Sequence, residues 1–111
     1  MSVIGWRTTV LAAAAIAGAA TGASAQLSPG EQRGRALALA NCARCHAVDK
    51  VSPSPLSLAP PFRTLHRRYP VETLDEALAE GIVTGHPSMP EFRLEPDQIG
   101  DFIAFLKSLE R

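Results

Sequence analysis

No stretch of alternating β-branched and polar residues occurs anywhere in this 111-residue chain, and no segment repeats. The first absence argues against a half-buried sheet, and the second against a solenoid or array. Cysteine is down to two residues, Cys42 and Cys45. A four-coordinate structural zinc site needs more Cys or His than that. A disulfide between residues so close in sequence would be strained. Long apolar runs are missing too. The best is Val10 to Ala20, 11 residues broken by Gly18, too short to span a membrane well. Neither sign of charge dominates, with 11 Lys+Arg against 11 Asp+Glu, which argues against nucleic acid and against an anionic membrane surface.

What is present is concentrated in five residues. Cys42-Ala43-Arg44-Cys45-His46 is a C-x-x-C-H segment, the attachment pattern for a c-type haem. Two thiols three residues apart on a helical turn can add across the two vinyl groups of one porphyrin. The next residue then offers an imidazole to the iron. A thioredoxin-like dithiol would need a neighbouring βαβ pattern, and none is there. The expectation is one covalently attached haem c, held by Cys42 and Cys45, with His46 as an iron ligand.

The first 25 residues read as a cleavable signal peptide. Arg7 gives a positive start, the Ala-rich run follows, and Ala23-Ser24-Ala25 is a small-residue cleavage site. Residues 26–111 are then one domain of 86 residues, with no membrane span. Arg7 leaves with the signal, so the formal charge becomes −1 before two haem propionates are counted. Export and haem attachment together point to the periplasm of a Gram-negative bacterium. So small a domain makes only a marginal apolar core, and a large flat ring at its centre would complete it.

The domain reads as short helices between Pro-rich loops. Ser28-Pro29-Gly30-Glu31 is a helix start, with Ser as N-cap, Pro at N1 and Glu closing a capping box. A loop covers residues 47–59. Phe62, Leu65 and Tyr69 fall on one helical face after Pro61, and Pro70 ends that segment. Val71, Leu74, Leu78 and Ile82 mark a third helix, stopped near Gly81. A second loop covers residues 85–92. Pro96 opens the last helix, with Ile99, Phe102, Ile103, Leu106 and Leu109 facing inward.

A haem iron used for electron transfer is commonly six-coordinate, with His and Met. Met1 would leave with the signal, so Met89 is the one thioether of residues 26–111. It lies in a Pro-clamped loop, Gly85-His86-Pro87-Ser88-Met89-Pro90. His66 and His86 are its competitors. A bis-His site would use one of them and lower the potential. His66 sits among Arg63, Arg67 and Arg68, a polar setting for a ligand.

Over residues 26–111 the chain resembles a bacterial class I cytochrome c. The resemblance is carried by Gly34 before Cys42, the C-x-x-C-H segment, Ala59-Pro60-Pro61-Phe62, Gly85-x-x-x-Met89-Pro90 and Phe102-Ile103-Ala104-Phe105-Leu106. It implies an all-α cytochrome c fold, three to five short helices around one covalently bound haem. It implies that the first and last helices cross with Gly34 against Phe105, Phe102 beside them. It also implies that the Pro60 carbonyl accepts the Nδ1 proton of His46. The tryptophan usual near a haem propionate is absent, and Tyr69, Arg63, Arg67 and Arg68 are candidates to replace it.

The function expected is electron carriage between redox partner proteins by a monomer that turns over no substrate. The alternatives are the haem subunit of a larger dehydrogenase or oxidase, and a haem sensor or enzyme with an open sixth position. Lysine is scarce, with Lys50 and Lys107 alone, so partner docking should rest on apolar contacts around Ala43, Val48 and the Met89 loop.

Overall fold

A computed structural model describes residues 5, 9–18, 26–82 and 88–111. The cleavage site, Arg7, Gly85, His86 and Pro87 lie outside them. Among the described residues there is no strand. Three α-helices form, α1 (Pro29–Asn41), α2 (Leu74–Glu80) and α3 (Pro96–Ser108), with 3-10 turns at Phe62–Arg67 and Val71–Thr73. The all-α expectation holds.

Helix α1 starts where its capping box says. The Glu31 N–H donates to Ser28 Oγ at 3.2 Å, and the Ser28 N–H donates to Glu31 Oε2 at 2.9 Å. Two otherwise orphaned donors at the helix start are thereby satisfied. Its buried residues are small, Gly34 and Ala38. That narrow face lets α3 approach at backbone distance. A Cβ on Gly34 would fall onto the Asp101 carbonyl and sit 2.7 Å from Phe105 Cβ. Arg33 grips Asp101 beside this contact with both ends of its guanidinium, Nε to Oδ2 at 2.7 Å and Nη2 to Oδ1 at 3.0 Å. The expected glycine–aromatic crossing is thus present. From α3, Ile99, Phe102, Phe105 and Leu106 are buried, while Ile103 is half-buried. They meet Ala38, Cys42, Phe62, Leu65, Val71, Leu78, Leu94 and Leu109 in one core.

Two expectations are corrected. Tyr69 does not share the buried face of Phe62 and Leu65; it is exposed. The segment is a 3-10 turn of about three residues per revolution, so i and i+3 align while the helix ends before i+7 is reached. Ile82 lies outside the third helix. Gly81 ends α2 with φ +107°, a conformation that a side chain would resist. Beyond it the Ile82 N–H donates to Phe92 O at 3.2 Å, and the Leu94 N–H to Leu78 O at 3.0 Å. These two bonds draw together the two ends of the segment that carries Met89.

Candidate haem site

The C-x-x-C-H segment continues α1 by one turn. Cys42 N–H donates to Ala38 O at 2.8 Å, and His46 N–H to Cys42 O at 2.9 Å. Cys42 and Cys45 are therefore one helical turn apart, and both are free thiols. Cys42 is buried in the core and Cys45 half-buried. Burial pushes the Cys42 thiol up to about 11, so it is a neutral thiol at physiological pH.

His46 is fixed from two sides. Its Nδ1 lies 2.8 Å from Pro60 O. A carbonyl only accepts, so Nδ1 carries the proton and Nε2 is left with a bare lone pair. The ring also lies against Phe62, with centroids 4.9 Å apart and planes tilted by 35°. Phe62 in turn stands edge-on to Phe102 at 5.9 Å. The imidazole is thus tied to the core through Phe62, and the Pro60 carbonyl holds its Nδ1.

Between His46 and Pro60 the chain closes a loop on itself. The Phe62 N–H donates to Ala47 O at 2.9 Å, the Ala47 N–H to Ser54 Oγ at 3.0 Å, and the Leu56 N–H to Cys45 O at 3.1 Å. Asp49 Oδ1 accepts from the N–H groups of Val51 at 2.8 Å and Ser52 at 2.6 Å. Bonds from Ser52, then from Val51, hold the Asp49 carboxyl down to about 2. Arg63 Nη1 donates to Ser52 O at 2.6 Å. Arg63 is thereby occupied with backbone, whereas Arg67, Arg68 and His66 are exposed on the surface. Of the arginines expected to stand near a propionate, Arg63 already has a different partner.

Met89 is half-buried. The structure thus brings Cys42, Cys45, His46 and Pro60 together and keeps His66 at the surface, whereas His86 falls outside the described residues. Val48, expected at an apolar docking face, is half-buried and packs on the core, and the large apolar side chains exposed on this loop are Val51, Leu56 and Leu58. Sequence reasoning missed Asp49 and Ser54, and it set Arg63 beside a propionate rather than on the Ser52 carbonyl. An Asp followed by two bonded N–H groups is a readable turn signal; the carbonyl target of Arg63 has no sequence signature.

Among the described residues, no group of three or more His, Cys, Asp or Glu could hold a bare metal ion. A lone imidazole with a defined free nitrogen, beside two free thiols one turn apart, is instead the donor set that a thioether-linked porphyrin iron requires. The family model for cytochrome c matches residues 31–110. No curated protein and no solved structure matches the chain. The match spans α1 from Glu31, the C-x-x-C-H turn, both loops and α3, well over half of the sequence, and this chain belongs to the cytochrome c family, with covalently attached haem c as its cofactor and electron transfer as its chemistry.

Proposed function

We propose that the chain is exported, cleaved after Ala25, and works in the periplasm as a monomeric carrier of single electrons between redox partner proteins. Cys42 and Cys45 hold the haem, and His46 and Met89 ligate its iron. Haem supplies a one-electron Fe(III)/Fe(II) couple, and the polypeptide supplies ligands, burial and a docking face. The observation that carries this reading is the 2.8 Å bond from His46 Nδ1 to Pro60 O. It leaves Nε2 as the coordinating atom and makes the imidazole a stronger donor. Met89 supports the reading by its half-buried place on the segment gathered by the Ile82–Phe92 and Leu78–Leu94 bonds. A thioether is a soft ligand that favours Fe(II) and raises the potential.

The test is the oxidised spectrum of the wild type and of Met89→Ala. Met ligation predicts a weak near-infrared charge-transfer band that disappears in the variant, together with a lower potential and new binding of carbon monoxide. A band and potential that persist in Met89→Ala would remove Met89 from the iron. A wild type that already binds carbon monoxide would favour a sensor or enzyme with an open sixth position.

A further inference from the structure

We propose that Arg63 is a positioning residue for the axial histidine. The loop that leaves His46 returns at Pro60, and three bonds run between its two ends. His46 Nδ1 donates to Pro60 O at 2.8 Å, Phe62 N–H donates to Ala47 O at 2.9 Å, and Arg63 Nη1 donates to Ser52 O at 2.6 Å. The first of these sets the donor strength of the imidazole, and the other two are ties beside it. The Arg63 tie is the only one of the three made by a side chain other than the ligand itself. It also draws on a second acceptor, Asp49 O at 3.4 Å, on the turn that Asp49 Oδ1 closes through Val51 and Ser52. Both contacts come from Nη1, whose two N–H bonds diverge in the fixed plane of the guanidinium and so meet two neighbouring carbonyls. Arg63 is half-buried, unlike the exposed Arg67 and Arg68 beside it. Its charge is therefore spent on holding the start of the loop to its end, and the His46–Pro60 bond is what that clamp protects.

This inference rests on His46 being an iron ligand, and the test separates the two. The haem-loaded protein is compared with Arg63→Ala and with Arg63→Lys, which keeps the charge but loses the guanidinium plane and the reach of Nη1. Releasing the clamp should lengthen the His46–Pro60 bond and weaken the imidazole as a donor, so Fe(III) is less favoured. The potential should rise in both variants. The hyperfine-shifted ring resonances of His46 should move. The Phe62 and Ala47 amides should exchange about tenfold faster, the factor that one lost hydrogen bond corresponds to. If Arg63 acted through its charge on the iron or on a propionate, the potential would fall in Arg63→Ala and stay constant in Arg63→Lys, which overturns the proposal. A lower melting temperature with unmoved His46 resonances and potential would reduce Arg63 to a structural role and overturn it equally. If His46 were not a ligand, the wild type itself would lack shifted His46 ring resonances.

Discussion

The α1–α3 crossing and the loop from His46 to Pro60 hold the same domain together by opposite means. The crossing is made by contact. Gly34 lets the Asp101 backbone touch α1, Phe105 fills the space beside it, and the directional contacts are ion pairs at the rim, Arg33–Asp101 and Arg111–Glu31. The loop is made by direction. It has no regular helix, and it is closed by hydrogen bonds through Ser54, Asp49, Arg63 and His46. Packed contact resists any added atom, because neighbouring backbone cannot move aside. Hydrogen bonds each contribute little net stability but set orientation sharply. Damage to the crossing should therefore register in stability, and damage to the loop in the ligand field of the iron.

The largest effect should come from Gly34. Gly34→Ala places a carbon against the Asp101 carbonyl and Phe105 Cβ, and a denaturant melt should show a loss of about 3 kcal/mol. Near-wild-type stability there would mean that the helices can separate without cost. Ser54→Ala is the counterpart in the loop. It removes the acceptor of the Ala47 N–H and should cost about 1 kcal/mol by the same melt. A loss as large as that of Gly34→Ala would mean that the loop and the crossing contribute alike to stability.

How far the sequence alone reaches follows the same division. The capping box of α1, the Pro96 start of α3 and the glycine stop at Gly81 are local, and they were readable because the residues that satisfy one another lie within a turn. C-x-x-C-H is local as well, as one helical turn beyond α1. The Gly34–Phe105 contact and the His46–Pro60 bond were reached only through the family resemblance, since their partners are far apart in the chain. Tyr69 and Ile82 were misplaced because an apolar residue at helical spacing does not reveal whether the helix has already ended. Arg63 was unreadable for a further reason. An arginine that binds backbone carbonyls needs no particular residue type opposite it, so nothing in the sequence marks the pair.

A smaller effect should separate the two regions by pH. The Asp49 carboxyl is held near 2, below its ordinary 3.8, by the bonds it accepts from Ser52 and Val51. A lowered pKa means a contribution to the folded loop that is complete above about pH 4 and lost as pH falls through about 2. The Val51 and Ser52 amide resonances should titrate over that window while those of Gly34 and Ala38 in α1 stay still. A midpoint near 4 for Val51 and Ser52 would mean that the Asp49 turn is not formed in solution.

Every other role in the site depends on the turn from Cys42 to His46 being the place where haem is attached. Its direct measurement is the intact mass of protein made with a cytochrome maturation system, before and after acid–acetone extraction. The wild type should keep the mass of one haem through extraction, and Cys42→Ala/Cys45→Ala should carry none. Haem that passes from the wild type into the organic phase, or that stays bound in the double variant, would contradict it.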